Sequence, residues 1–404
     1  MRAVGRSPVV RASWAAAGLL LLLAGCTTNP QPTVKPPHPT GGGRVSIASQ
    51  TPSTTPHPFR PPALTTIHMT SPRVGWAVGD WKHVGRVLHT TDGGRRWRDV
   101  TPVRRRSSPP LVTDFKGGLR AWAVFQVGPK GRWHLGFALY ATTTAGLSWR
   151  RIWSGGLPAY PAALHFSDSR HGVLVADGCC TMYHDWEWMY ATTDGGHHWH
   201  QIAYGCNDAC GPTPAPPWAS VLGGCDTTGF LFEGATTGYR AADGAVGPCL
   251  AVTTNGGRAW RAVPMPRILE SQDGVNVSPP AAVPPDGVLV GLEVAPQRPL
   301  FLLILRDGQV SVRRFPSPHG DTLTPVDFVD PRHGWALFRS HNGDALYATS
   351  DGGASWAIRT RTNLPDEIDF LTPELGWAPG RPGSLLRTRD GGRRWFQIAF
   401  FVVH

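Results

Sequence analysis

Beyond about residue 63 the chain alternates between apolar and polar positions. "IHMTSPRVGWAVG" (67–79), "TDFKGGLRAWAVF" (113–125) and "LHFSDSRHGVLVA" (164–176) each hold an alternating stretch, a polar turn with Gly, and a second apolar stretch. The same phrase returns in "GFLFEGATTGYRAA" (229–242), "VDFVDPRHGWALF" (326–338) and "IDFLTPELGWAPG" (368–380). Period-two alternation with Gly punctuation predicts short strands joined by tight turns. No comparably long stretch carries a helical period.

Each phrase is followed by a short box. The boxes read "TTDGGRRW" (90–97), "TTDGGHHW" (192–199), "TTNGGRAW" (253–260), "TSDGGASW" (349–356) and "TRDGGRRW" (388–395), with a worn copy, "TTTAGLSW", at 142–149. Phrase and box together predict a four-stranded unit, A to D, with the box at the C–D turn. Asn255 and Asp351 lie 96 residues apart, about twice the other spacings, so a unit is hidden between them. "LFLLILRDGQVSVRRF" (300–315) fits its C and D strands, with Asp307 at the turn. Seven units over residues 63–404 average about 49 residues, within the range of propeller blades. The expectation is an all-β, seven-bladed β-propeller of antiparallel blades, each burying its faces on its neighbours.

The box residues suit structural work. Asp92, Asp194, Asn255, Asp351 and Asp390 can accept hydrogen bonds from the backbone just ahead, as in an Asx-turn. Thr144 holds that position in the worn copy. The Gly pair supplies positive φ, and Trp97, Trp149, Trp199, Trp260, Trp356 and Trp395 can cover the turn. His197 and His198 occupy slots filled elsewhere by Arg, Ala or Ser, which argues against a metal role.

The boxes resemble the Asp-box (BNR-type) β-propellers, whose box is written Ser/Thr-x-Asp-x-Gly-x-x-Trp. The combined phrase-and-box unit is most similar to the photosystem II assembly-factor-like branch. That resemblance covers the chain beyond residue 62 and implies a seven-bladed fold. It implies little about biological role, because sites and not folds carry function.

The first sixty residues change the picture of where the protein works. Arg2, Arg6 and Arg11 precede the apolar run "WAAAGLLLLLAG" (14–25), too short to span a bilayer. Leu23-Ala24-Gly25-Cys26 resembles a bacterial lipobox, so residues 1–25 read as a signal peptide and Cys26 as the lipidated residue. Residues 26–62, rich in Pro, Thr and Gly, read as a flexible tether. The expectation is an extracytoplasmic protein lipid-anchored to the bacterial cell membrane. The formal charge of +11 then speaks for an anionic envelope rather than nucleic acid, for which no module is present.

Six further cysteines, Cys179, Cys180, Cys206, Cys210, Cys225 and Cys249, are even in number and suit disulfides in an oxidising compartment. Nearby His184, His197, His198 and His200 do not complete a standard zinc spacing, and no metal or cofactor is expected. Topology puts all six cysteines on the rim opposite the boxes, where the B–C loops and D–A connections lie. Function is expected there, on loops free to vary. Trp133, Trp186, Trp188 and Trp218, with Arg104, Arg105 and Arg106, form the candidate binding face.

Sialidases also carry Asp boxes, and "FRPPAL" (59–64) places Arg60 in a near match to their Phe/Tyr-Arg-Ile-Pro motif. The remaining machinery of arginines, a Tyr–Glu pair and an acid finds no convincing match, Tyr183 with Glu187 being the nearest. A xyloglucanase-like cleft needs two rings. The reading is therefore a monomeric, non-catalytic scaffold for an envelope or membrane protein, with a sialidase-like or glycan-binding propeller as the alternative.

Overall fold

The alternating stretches fold as strands. In the computed structural model, residues 62–403 are described apart from 82–83, 104–111, 130–134, 181–183, 207–224, 245–247, 266–274, 285–286, 295–299, 307, 317–321, 340–342, 362–363 and 366. Seven blades of antiparallel strands form a ring. Blade 1 comprises β1 (Ala63–Met69), β2 (Gly75–Trp81), β3 (Val84–Thr90) and β4 (Arg96–Asp99). Blade 2 comprises β5 (Val112–Lys116), β6 (Arg120–Pro129), β7 (Leu135–Thr142) and β8 (Arg150–Leu157). Blade 3 follows with β9 (Tyr160–Phe166), β10 (Gly172–Cys180), β11 (His184–Thr192) and β12 (His200–Cys206). Blade 4 has β13 (Cys225–Glu233), β14 (Thr237–Gly244), β15 (Cys249–Thr253) and a short β16 (Arg261–Ala262).

Blade 5 is the unit that lacks a box. Its first strand is broken into β17 (Val275–Val277) and β18 (Ala281–Val283), both paired with β19 (Gly287–Val294). The break falls at Ser278-Pro279-Pro280, because proline cannot donate to the ladder. The blade is completed by β20 (Leu300–Arg306) and β21 (Gln309–Arg314), the strands expected for the hidden unit. Asp307, between them, lies outside the described residues. Blade 6 holds β22 (Thr322–Phe328), β23 (Gly334–Arg339), β24 (Ala345–Thr349) and β25 (Ala357–Arg361). Blade 7 holds β26 (Asp369–Phe370), β27 (Gly376–Pro379), β28 (Ser384–Thr388) and β29 (Phe396–Ala399).

The ring closes in a way the sequence did not suggest. Face packing alone, or an added strand from "RVSIAS" (44–49), were the two routes expected, and residues 44–49 lie outside the described residues. Instead β30 (Phe401–Val403) leaves blade 7 and pairs in parallel with β4, the outer strand of blade 1. Phe400, at the crossing, is buried, and Val402 packs with it on Trp97 and Trp377. Blade 1 thus carries five strands, and hydrogen bonds reinforce the seam.

Between blades the core is aromatic. Trp76 of β2 stacks on Phe115 of β5, with centroids 5.2 Å apart. Trp122 stacks on Phe166 at 4.2 Å, and Trp335 on Phe370 at 3.7 Å. In each pair the second strand of one blade meets the first strand of the next, so the "GWA" and "DF" words of the repeat are two halves of one contact. Such pairs add about 0.5–1.5 kcal/mol beyond the area they bury. In blades 3 and 7 the Phe also meets its own blade's box Trp edge-on, Phe166 with Trp199 at 6.0 Å and Phe370 with Trp395 at 5.9 Å.

Candidate functional site

The box rim is built by a repeated clamp. In blade 1, Thr90 Oγ1 donates to Asp92 Oδ1 (3.1 Å) and accepts from Gly94 N (3.1 Å). Asp92 Oδ1 accepts from the amides of Arg95 (3.0 Å) and Arg96 (2.8 Å). Gly93 N donates to Arg73 O in the A–B turn (2.8 Å), and Trp97 Nε1 donates to Gly94 O (3.0 Å). Thr192–Asp194–Trp199, Thr253–Asn255–Trp260 and Thr349–Asp351–Trp356 repeat these bonds. Thr388 and Asp390 form the clamp in blade 7, where Trp395 packs against the core.

The second Gly has two duties. Gly94 lies at φ 89°, and a Cβ there would stand 2.3 Å from Leu385 Cδ2 of blade 7, so the bare backbone lets neighbouring blades approach. In the worn copy Thr144 Oγ1 takes over the acceptor role for Ser148 N (3.0 Å), Ala145 adopts φ 55°, and Trp149 Nε1 turns to Val100 O of blade 1 (2.6 Å). His198 Nδ1 meets Asp194 Oδ2 at 2.6 Å. Hydrogen bonds from the His198 amide and ring hold the Asp194 carboxyl well below the usual carboxylate range. No group of three or more His, Cys, Asp or Glu suited to a metal occurs among the described residues.

By strand direction the five cysteines in described strands lie toward the opposite rim. Cys179 and Cys180 end β10, their backbones opposite Asp185 and His184, and Cys206 ends β12 opposite Trp186. Cys225 and Cys249, at the starts of β13 and β15, are joined by a disulfide with Cα atoms 6.3 Å apart. Cys26, Arg60, Arg104, Arg105, Arg106, Trp133, Tyr183, Cys210 and Trp218 lie outside the described residues. Trp188 is half-buried and packs against the core between blades 2 and 3. Glu187 is buried, and its Oε2 lies 3.4 Å from Nε of Arg240 in blade 4, itself 2% exposed. Arg240 also reaches Cys225 O through Nη2 at 3.4 Å. This ion pair between blades 3 and 4 escapes sequence reading, since nothing in the spacing of two strand residues 53 positions apart marks it.

A pocket of about 730 Å³ opens on the box rim at the seam between blades 7 and 1. Its walls are the A–B turns of both blades (Pro72 and Arg73, Glu374 and Leu375), the first box (Asp92 and Arg95) and Arg387 and Arg389 of blade 7. The acids there already have partners: Asp92 is held by its clamp, and Glu374 Oε2 accepts from Thr372 Oγ1 (3.1 Å). Arg73 braces the rim through Nε to Thr91 O (3.4 Å). The pocket therefore presents guanidinium groups to solvent, a setting suited to a carboxylate or another planar anion. Arg73 recurs as Arg170 and Arg332, each bonded through Nε to its own box, whereas Arg95, Arg387 and Arg389 sit in variable slots of the repeat. Only ring closure brings residues near 73–95 beside those near 374–389.

Comparison with known proteins places these features in context. The family described as "Photosynthesis system II assembly factor YCF48" matches residues 312–401. The "Photosystem II assembly lipoprotein Ycf48" of Synechococcus sp. (strain CC9902) is 40% identical over 80 residues, 18% of this chain. The matched segment spans 22% of that relative's length. Among solved structures, YCF48 from Cyanidioschyzon merolae aligns over 83% of this chain and 97% of its own, with a TM-score of 0.55 and 20% identity. A structure titled "YCF48 bound to D1 peptide" aligns over 81% and 92%, with a TM-score of 0.53 and 17% identity. At such identities the structural likeness speaks for the fold.

Proposed function

We propose that the chain is a BNR-type β-propeller of the photosystem II assembly-factor-like kind, and that it is a non-catalytic scaffold that grips a segment of an envelope or membrane protein. The arginine-lined pocket at the seam carries this reading. It gathers Arg73, Arg95, Arg387 and Arg389 in one opening whose acids are already engaged. Such a site favours an acidic side chain or a chain-terminal carboxylate on the partner. The structure of a relative with a D1 peptide bound supports a peptide as the ligand class.

In this reading residues 1–25 direct export, Cys26 takes the lipid, residues 26–62 form the tether, and the propeller stands at the outer surface of the bacterial cell membrane. The relative named as a lipoprotein supports that placement. The opposite rim, with Trp186, Trp188 and the loops that carry Arg104–Arg106, Trp133 and Trp218, serves as a second contact surface. Cys179, Cys180, Cys206 and Cys210 complete its disulfide framework around Cys225–Cys249. A glycan is the alternative ligand there.

Photocrosslinking from position 389 in intact cells tests the reading. An adduct with an envelope or membrane protein is expected, and Arg387→Glu with Arg95→Glu should reduce it at least tenfold with no change in melting temperature. Hydrolysis of a fluorogenic sialoside that is abolished by Arg60→Ala would overturn the scaffold reading.

A further inference from the structure

Eight large apolar side chains are exposed among the described residues, and three of them, Phe396, Phe401 and Val403, fall within eight residues of chain. The other five are spread over blades 2, 3 and 6. Phe396 is 57% exposed, Phe401 66% and Val403 44%. Scattered exposed apolar residues need no explanation, but two on one face of the strand that closes the ring do.

The register of the closing strand shows how this wall is made. Phe401 lies opposite Arg96, and Val403 opposite Arg98. Trp97 and Val402, between them, pack into the seam. Strand alternation therefore turns Phe401, Val403, Arg96 and Arg98 to the same outward face. Arg393 and Arg394, exposed, lie just before blade 7's outer strand, separated by Trp395 from its first residue, Phe396. The acids of this stretch have prior engagements. Asp92 and Asp390 accept from box amides, and Asp99 Oδ2 lies 3.5 Å from Arg86. Among the described residues, Arg394 is the arginine of this stretch that meets a carboxylate, through Nε to Asp390 Oδ2 at 3.4 Å.

We propose that this outer wall of the ring seam, Phe401 and Val403 interleaved with Arg96 and Arg98, rests on an anionic lipid surface. The chemistry is complementary. Aromatic and aliphatic side chains enter the headgroup and acyl boundary, while guanidinium groups fork onto lipid phosphates. Each basic group near an anionic leaflet contributes a severalfold gain in affinity. The connectivity agrees, because the chain enters the ring at β1, in the same blade that β30 extends. The proposal rests on the lipid-anchored reading above, in which the tether precedes that blade in the chain. The wall would orient the ring and leave both rims accessible to a protein partner.

The test uses the full lipidated chain in vesicles of phosphatidylcholine with 30% phosphatidylglycerol, with a p-benzoylphenylalanine photocrosslinker at position 401. A second chain carries the crosslinker at exposed Tyr160 of blade 3, as the reference for labelling by tethered proximity. Lipid adducts are expected at least fivefold more from 401 than from 160. The excess should disappear with Arg96→Gln and Arg98→Gln, and in vesicles of phosphatidylcholine alone. Equal labelling from 401 and 160, an excess that persists without anionic lipid, or a 401 adduct to a second copy of the chain would each overturn the proposal. Failure of Cys26 acylation lowers adducts from both positions together and leaves their ratio intact, so it is distinguishable from failure of the wall.

Discussion

At the scale of single residues, the box threonine carries as much of the turn as the aspartate does. Thr349 Oγ1 accepts from the buried Gly353 amide (2.9 Å) and donates to Asp351 Oδ1 (2.7 Å), so it orients the carboxylate that organises the turn. Thr349→Val keeps the shape, removes both bonds and strands a buried N–H. The expected cost is about 1–2 kcal/mol in urea denaturation. Ser350→Ala, at the exposed neighbour, should change stability by less than about 0.5 kcal/mol. The box aspartate was evident from its recurrence, whereas the threonine's double role was not. Threonine is common at strand ends for other reasons, and only the Oγ1 geometry separates a clamp from a strand former.

At the scale of elements, the closing strand is the point of greatest leverage. Val402 packs with Trp97, Trp377 and Phe400 where two blades meet, while its neighbour Val403 points outward. Val402→Asp places a carboxylate in that seam and should destabilise the ring by about 2 kcal/mol or more. Limited proteolysis should then cut first near β30 and β4. Val403→Asp, on the outer face, should leave the denaturation midpoint nearly unchanged. The tail "FFVV" reads as an ordinary extension of the last D strand. Which edge it joins depends on where blade 1 stands, and that is set by the curvature accumulated over all seven blades.

At the scale of the whole molecule, polar side chains link the inner strands of neighbouring blades. Asp114 Oδ2 accepts from Phe166 N (2.6 Å), Asp327 Oδ2 from Phe370 N (2.5 Å) and Asp369 Oδ2 from Met69 N (2.7 Å). Each carboxylate thus ties one blade to the next. His68 and His165 take the equivalent place in blades 1 and 3 and stack on Phe115 and Phe232 of the following blades. Burial pushes Asp114 up to about 6, against the pull of Lys116 3.8 Å away, and burial draws His165 down to about 3.

The two residues act in opposite senses. Between pH 6 and its ordinary value near 4, folded Asp114 holds a proton that the unfolded chain lacks, so its term favours folding as pH falls. Below about pH 6.5 the unfolded His165 takes a proton that the folded ring refuses until about pH 3, so its term opposes folding as pH falls. Melting curves from pH 7.5 to 5 should show wild type gaining on Asp114→Asn and losing to His165→Gln as the pH drops. Parallel curves for all three would show that both groups titrate in the ring as they do in the unfolded chain.

The sequence by itself determined the blades. Period-two alternation chooses strands, the Gly pair and Asp choose the C–D turn, and the recurrence of Trp and Phe at fixed places supplies each blade with matching faces. These are local requirements, repeated often enough to be seen through the worn box at 142–149 and the unit that has lost its box altogether. Tertiary structure alone decided which distant residues became neighbours: Glu187 with Arg240, Cys225 with Cys249, Phe401 with Arg96, and the arginines of blades 1 and 7 around one pocket. Those pairings arise from the ring's closure and stagger, a sum over every blade's twist, and no single stretch of sequence encodes that sum.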